Sequence, residues 1–325
     1  RLRSMIRVQS MQPFAEGDVF LGCTLLDNPD DDHAGIGRIL QFDKHLNLRG
    51  VLWTEGTTHL VGGLAVDPNG VLWAFDNHAV LHVNPKAGRQ MPIAETFLPR
   101  VYRSASFAKD GSIYLGEHLC AKDPPPGIEK MTTNTFRHIP GESVLGFGYI
   151  YKYKPDWTLD RVFKSETAPE FTGFKGVTHS TLHPSEAFIT YTTETSKRIM
   201  RYDVVNDRQM PDLVTYPGDM MDGNWVIALR YLPDGRLIAT RGETYDIIDE
   251  DGTTLATHTL GPLNWSDIAL CHDGAHMLVS SIFNGTVLKV HVDSGKIVGR
   301  IVTGLVKPRR SLAGVAEYPG LPLLA

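Results

Sequence analysis

The sequence has no apolar stretch that approaches the roughly 20 residues needed by a membrane-spanning helix. It also has no block or stripe of basic residues, and its formal net charge is -5. We therefore expect neither a membrane nor a nucleic acid as a partner. No apolar stripe is sustained at helical spacing, which argues against an α-rich fold. Hydrophobic residues still make up 42% of the 325 positions, so the chain can bury a sizeable core.

Cysteine is scarce, and the common catalytic signatures are missing. Cys23, Cys120 and Cys271 are widely spaced and form no CxxC pair, so they predict neither a disulfide framework nor a zinc knuckle. This usage favours a reducing, cytoplasmic location, with an already removed secretion signal as the alternative. P-loop, Rossmann and GxSxG motifs are absent from the sequence. We therefore expect no nucleotide or flavin cofactor and no serine triad.

The sequence does contain an internal repeat of short strands. One complete unit runs from Leu64 to Ala94 and reads as strand, tight turn, strand, loop, strand, turn and strand. Its first hairpin turn, at Gly70, recurs at Gly111, Glu186, Gly235 and Gly274. Apart from one longer gap, the spacing is that of four-stranded propeller blades, which repeat every 40 to 50 residues or so.

We therefore predict an all-β fold, with residues 1–325 forming a single six-bladed β-propeller domain of four-stranded antiparallel blades. The predicted blades are 18–57 with the C-terminal strand, 58–99, 100–168, 170–218, 220–261 and 262–305. The C-terminal strand is expected to complete the first blade and so remove free sheet edges. A strand at 5–9 is the alternative closure. The longer gap indicates an insertion at 119–148 in blade three, either a lid over the channel mouth or a surface excursion.

The turns Pro-Asn-Gly70, Lys-Asp-Gly111, Pro-Asp-Gly235 and His-Asp-Gly274, with their flanking strands, resemble those of the six-bladed β-propeller superfamily. The resemblance is to gluconolactonase/regucalcin-like, NHL-like and YVTN-like repeats. It implies the fold, and it implies a functional range that includes calcium-dependent lactonases, lyases and binding scaffolds.

The lactonase-like members of that superfamily hold calcium with Glu, Asn and Asp at the starts of inner strands. The positions eight residues before the hairpin turns offer none of these residue types: they are Gly62, Arg103, Thr178, Ile227 and Ser266. The family's calcium pattern is therefore not carried over. A count of seven residues reaches His179 and Asp267 instead, and a slip of one residue reverses the face of a strand.

Histidines supply a different prediction for the channel mouth. His59, His118 and His179 fall in three successive blades, near strand starts or connections between second and third strands. Neutral imidazoles suit Zn, Fe or Mn, so we predict a divalent transition metal at these three residues. The alternative is that they are ordinary hydrogen-bonded or solvated histidines.

Other polar and aromatic residues are expected at the same mouth. The candidate catalytic residues are Glu117, Arg103 and Tyr102. Arg103, together with Tyr102, could bind a carboxylate or stabilise an oxyanion, because arginine offers a planar fork of donors. The candidate substrate contacts are Asn224, Trp225, Trp265 and Asp267, with the two tryptophans lining an apolar pocket. For Arg103 and the tryptophans, the alternative is ordinary packing or ion pairing between blades.

Three functions remain open from the sequence. The first is a metal-dependent, lactonase-like hydrolase or lyase that acts on a small, possibly aromatic, organic substrate at the mouth. The second is a non-enzymatic propeller that binds a ligand or a protein. The third is an oxidative metalloenzyme with a four-histidine iron, which requires four converging imidazoles. The sequence leaves the oligomeric state open.

Overall fold

The computed structural model describes residues 10–26, 35–56, 61–76, 79–120, 146–167, 174–219, 221–262, 264–304 and 310–320. These residues form β-strands joined by turns and loops, and they include no helix that is long and apolar enough to cross a membrane. The strands pair into six antiparallel sheets. The predicted fold class, a six-bladed β-propeller of four-stranded blades, is confirmed.

Blades one, two and six contain the N- and C-terminal parts of the chain. Blade one consists of β1 (Val19–Leu26), β2 (Gly35–Phe42), β3 (Leu48–Trp53) and β25 (Arg310–Glu317). Blade two consists of β4 (Val61–Val66), β5 (Leu72–Asp76), β6 (Ala79–Asn84) and β7 (Arg89–Gln90). Blade six consists of β21 (Trp265–Leu270), β22 (His276–Ser281), β23 (Thr286–His291) and β24 (Ile297–Val302).

Blades three, four and five occupy the middle of the chain. Blade three consists of β8 (Tyr102–Phe107), β9 (Ile113–Cys120), β10 (Ile150–Tyr153) and β11 (Leu159–Phe163), with the short β12 (Phe174–Gly176) added to the end of β9. Blade four consists of β13 (His179–Leu182), β14 (Phe188–Thr192), β15 (Arg198–Asp203) and β16 (Arg208–Thr215). Blade five consists of β17 (Val226–Tyr231), β18 (Leu237–Arg241), β19 (Thr244–Ile248) and β20 (Thr254–Thr259).

The chain groups into two compact units. The first unit contains residues 1–94 and 268–325, the second contains residues 95–267, and the second of the two boundaries falls inside β21. In the first unit β25 packs against β4 and β22, and in the second β13 packs against β8 and β17. Each unit is described by itself below.

The C-terminal strand closes the first blade, as predicted. β25 pairs antiparallel with β1, from Val19 opposite Glu317 to Leu25 opposite Arg310, and the sheet order is β25, β1, β2, β3. The first strand in sequence is thereby covered on both edges, which removes an unpaired row of backbone groups. The alternative closing strand, at 5–9, lies outside the described residues.

The insertion predicted at 119–148 lies mostly outside the described residues. Positions 119 and 120 are still part of β9, which pairs with β12 there. Residues 146–148 are described again, directly before β10. The role of the segment as a lid stays a prediction.

Asp and Gly fix the repeated hairpin turns. The Oδ1 atom of Asp67 accepts hydrogen bonds from the backbone N–H groups of Asn69 and Val71, and Gly70 has a φ of 82°. A tight turn is favoured by a side chain that accepts a hydrogen bond from the backbone N–H two residues later, and by a following residue at positive φ. In blade four Glu186 takes the glycine position at a φ of 60°, and its carboxylate accepts a bond of 2.9 Å from the N–H of Lys109.

Each unit has apolar clusters between its blades. In the first unit Cys23 and Cys271 are buried free thiols packed with Leu21, Leu278 and Leu312. Burial raises the pKa of Cys23 to about 11, so this thiol stays neutral and behaves as a small apolar side chain. In the second unit the clusters lie between blades three, four and five, around Tyr191 and Leu229.

Candidate functional site

The strand topology brings several predicted residues of the second unit to one end of its blades. Inner strands β8, β13 and β17 begin at this end, and the connections at 146–149, 193–197 and 242–243, which lead into third strands, return to it because neighbouring strands are antiparallel. We call this end the mouth face of the second unit. The hairpin turns between first and second strands lie at the other end, which we call the turn face.

His179 and Asp267 form a buried hydrogen-bonded pair. The Nδ1 atom of His179 accepts from the backbone N–H of Leu229 at 3.1 Å, so the ring proton is on Nε2 and is donated to Asp267 Oδ1 at 2.8 Å. Arg230 Nη2 lies 3.9 Å from the same carboxylate oxygen. The predicted metal ligand and the predicted substrate contact are thus next to each other, and both ring nitrogens are bonded to protein groups.

The surroundings of His179 favour its neutral form. Burial lowers its pKa below the usual value, the hydrogen bond to Asp267 opposes this shift, and the positive charges of Arg230 and Arg103 add to it. Arg103 itself is only partly buried. Arg103, the predicted oxyanion donor, therefore acts electrostatically on the His179–Asp267 pair.

His179 and Thr181 also accept hydrogen bonds from backbone N–H groups at the edge of the neighbouring inner strand. Inner strands expose one edge, and an unsatisfied buried N–H costs free energy. His179 and Thr181 of β13 accept from the N–H groups of Leu229 and Tyr231 of β17, both at 3.1 Å. Side chains of blade four thereby bond the edge N–H groups of blade five.

Glu117 is fully buried inside β9, and it binds the chain that returns to β10. Its carboxylate accepts from the N–H of Gly146 at 2.6 Å, from the N–H of Gly148 at 3.1 Å and from the hydroxyl of Tyr151 at 2.9 Å. Arg100 Nε lies 4.0 Å away. The sequence places Glu117 and His118 in a connection between second and third strands, but both residues lie within a strand, because β9 continues to position 120.

Tyr102 is a core residue at the start of β8. It is 1% exposed, and its hydroxyl lies 2.8 Å from the hydroxyl of Tyr153, which accepts from the N–H of Leu98 at 3.0 Å. Burial raises the pKa of Tyr102 far above its ordinary value. The hydroxyl is consequently neutral and bonded within the core, so it does not reach a ligand at the surface.

His118 lies beside a carboxylate at the mouth face. Thr178 Oγ1 accepts from the N–H of Glu194 at 2.6 Å and forms a hydrogen bond of 2.7 Å with His118 Nδ1. The Nε2 atom of His118 lies 3.7 Å from Glu194 Oε2. His118 is buried, whereas the side chain of Glu194 is 21% exposed, so the pair meets solvent on the carboxylate side.

The remaining predicted residues differ in exposure. Trp265 is 2% exposed, its Nε1 donates to the carbonyl of Gly261 at 3.3 Å, and its own carbonyl accepts from Thr240 Oγ1. Asn224 is exposed and Trp225 is partly buried, on the loop before β17. Of the two tryptophans, only Trp225 can therefore contact a ligand at the surface. His59 lies outside the described residues.

Two charged groups were missed from the sequence. Lys197 is 5% exposed and donates to both carboxylate oxygens of Asp222, at 2.5 and 2.6 Å. Arg230 lies among apolar residues of β17, in the segment Val226–Tyr231. An arginine inside an otherwise apolar inner strand was the available signal, because a charge in such a place needs a partner.

Among the residues that the structure describes, no group of three or more His, Cys, Asp and Glu side chains is arranged to hold a metal ion. The predicted trio includes His59, whose position is not among them, so the metal site stays a prediction. What the described residues define is the scaffold: a β-propeller whose buried polar groups tie blades together.

Comparisons with known proteins support the same class. No family model matches the chain, and no curated protein matches it. Among solved structures, a chain of the crystal structure of a nidogen/laminin complex is similar over 93% of this chain and 98% of its own length, with 11% identity and a TM-score of 0.57. A chain of the mitotic checkpoint complex aligns over 76% of this chain and 66% of its own, with 14% identity and a TM-score of 0.48. At such identities the first likeness shows the propeller fold and nothing finer, so membership of the gluconolactonase-like family is not confirmed.

Proposed function

We propose that this chain is a non-enzymatic propeller that binds a partner protein through the mouth face of its second unit. The observation that carries this proposal is the way Phe147 is held. The backbone N–H groups on both sides of it, from Gly146 and Gly148, are bound by the buried Glu117 carboxylate, while the Phe147 side chain is 72% exposed. A large apolar ring is thus presented to solvent on a fixed backbone.

Such an arrangement lowers the cost of binding. Little backbone freedom is lost when a pre-organised segment docks, and aromatic residues dominate the energetics of protein interfaces. Tyr149 lies next to Phe147, with ring centroids 5.7 Å apart. Met221, on another loop of the mouth face, is 56% exposed, and methionine is likewise enriched at interfaces.

Two further points support binding rather than catalysis. The polar residues beneath this surface, His179, Asp267 and Glu117, are engaged in bonds that hold the blades together. One of the solved structures with a similar fold is titled as a nidogen/laminin complex. Both observations agree with a scaffold that binds its partner through its surface.

The test is differential capture with two matched variants. Phe147→Glu places a charge at the proposed contact, whereas Val205→Glu places one at an equally exposed apolar residue (67%) on the turn face. We expect a partner that is retained by the wild-type chain and by Val205→Glu but is lost by Phe147→Glu. The purified partner should then bind the Phe147 variant at least about tenfold more weakly, as for an interface hot spot. Equal affinities for all three proteins would refute the proposal.

The second candidate is the metal-dependent hydrolase or lyase. The observation that favours it is the His118–Glu194 pair, which offers an imidazole nitrogen and a carboxylate 3.7 Å apart at the mouth face. Elemental analysis of the purified protein separates the two candidates. For a binding scaffold we expect only trace Zn, Fe or Mn. About one ion per chain, reduced in His118→Ala, would favour the enzyme instead.

A further inference from the structure

His272 bridges three parts of the chain that are far apart in sequence. It lies in the turn between β21 and β22 of blade six. Its Nδ1 atom is 2.6 Å from a carboxylate oxygen of Glu317 in β25, and its Nε2 atom is 3.0 Å from one of Glu16, in the segment before β1. The backbone N–H of His272 also donates to Glu317, at 2.8 Å. All three residues belong to the first unit, so this cluster is distinct from the surface that carries Phe147.

The backbone next to this bridge joins the segment before β1 to the end of β25. The N–H of Gly17 donates to the carbonyl of Tyr318, and the N–H of Tyr318 donates to the carbonyl of Asp18, both at 2.8 Å. These bonds continue the antiparallel pairing of β1 with β25. Because β25 is the strand that completes blade one, His272 connects this closing pair of strands to blade six.

The bridge requires a charged imidazole. A neutral imidazole carries one N–H, so the ring can donate to both carboxylates only when both of its nitrogens are protonated. The hydrogen bond with Glu317 raises the pKa of His272, burial opposes this shift, and Glu16 adds to it. The side chain of Glu317 is 5% exposed, so its charge relies on bonds to protein groups rather than to water. Loss of the proton removes one hydrogen bond and leaves two carboxylates without the positive charge between them.

Other titratable groups surround His272 at a cavity of about 460 Å³. Asp273, the next residue in the turn, is bonded to His276 at 2.7 Å. Burial, together with the negative charge of Glu317, raises the pKa of Cys271, so this thiol stays neutral. The β2–β3 turn and β23 contribute three further groups to the cavity lining: Lys44, His45 and Lys289. The two lysines keep their charge throughout the pH range in which an imidazole titrates.

We propose that His272 is a pH-sensitive latch, which holds β25 and the segment before β1 to blade six while its imidazole is charged and loosens them when the imidazole is neutral. The direction follows from linkage. A group whose pKa is raised on folding contributes stability that is fully present below its ordinary pKa, about 6.5 for histidine, and is lost as the pH rises through the folded value. The closing strand is therefore held most firmly in mild acid. This device does not rest on the protein-binding proposal.

Hydrogen–deuterium exchange of backbone amides, measured by mass spectrometry on the full chain at pH 6.5 and 8.5, tests the latch. After correction for the intrinsic effect of pH on exchange, the protection of β25 should fall about fivefold between the two pH values, as expected for the loss of one partly exposed charged pair. β10, in the second unit, should keep its protection. The latch is contradicted if the protection of β25 does not change, or if that of β10 falls as much.

Three variants assign the effect to the bridge. His272→Gln keeps a side-chain donor but has no titratable charge, so the protection of β25 should stay near the wild-type value at pH 8.5 under both conditions. His276→Gln is the matched control, because His276 bonds Asp273 of the same turn, and it should keep the wild-type fall. Glu16→Gln removes a carboxylate that is 69% exposed, so this variant should fold normally and show a smaller fall. An undiminished fall in His272→Gln or Glu16→Gln, or its loss in His276→Gln, would overturn the proposal.

Discussion

Glu117→Ala should lower the free energy of unfolding by about 3 to 5 kcal/mol, because it removes a fully buried carboxylate and leaves its donors without a partner. Those donors are two backbone N–H groups and the hydroxyl of Tyr151, with Arg100 close by. Urea denaturation followed by tryptophan fluorescence measures the change. Glu117→Gln keeps one carbonyl acceptor, so it should lower the free energy of unfolding by less.

Glu194→Ala is the control for that experiment, since it removes a neighbouring carboxylate whose side chain is partly exposed. It should cost about 1 kcal/mol or less, as surface ion pairs do. If Glu117→Ala also costs no more than this, the carboxylate does not hold the returning chain. The fixed presentation of Phe147 would then lose its basis as well.

Asp267→Ala should destabilise the fold by a similar amount, about 3 to 5 kcal/mol. It leaves the Nε2–H of His179 without its acceptor and removes the carboxylate that lies 3.9 Å from Arg230. The matched control is Asp160→Ala, which removes an exposed carboxylate 3.6 Å from Lys152 and should cost about 1 kcal/mol or less. Equal denaturation midpoints for the two variants would contradict a structural role for the pair.

The same pair makes the fold sensitive to acid. The folded chain has a lowered His179 pKa, so below about pH 6.5 unfolding takes up a proton and the free energy of unfolding falls. His272, with its raised pKa, contributes stability at low pH that is lost as the pH rises. His179→Leu isolates the first effect, and its stability should fall less than that of the wild type between pH 7.5 and 5.5.

The sequence predicted the repeat well because turns and alternating strands are local features. The turns at Gly70, Gly111, Gly235 and Gly274 marked their blades, and each contains an Asp whose side chain binds the turn backbone. The turn of blade four was also found, although Glu186 stands at its glycine position. The closing strand followed because a blade without a first strand and a C-terminal strand without a partner complete each other. This prediction needed only the count of strands.

The candidate site was predicted less well, because residue type does not reveal which group a side chain bonds. His179 and Asp267 were predicted separately, as metal ligand and as substrate contact, and the structure joins them by a hydrogen bond. Trp265 and Tyr102 were expected at a ligand, and both are in the core. Arg230 and Lys197 were missed, because their partners are distant in sequence: Asp267 and Asp222.

The sequence by itself thus determined the architecture of this protein, since each hairpin is specified by a few neighbouring residues and six such blades close with the C-terminal strand. Only the tertiary structure decided what the polar residues do. A buried imidazole or carboxylate bonds whatever donor the next blade brings within about 3 Å, and that neighbour is set by packing across dozens of residues. For that reason Glu117 is an anchor for the chain that carries Phe147.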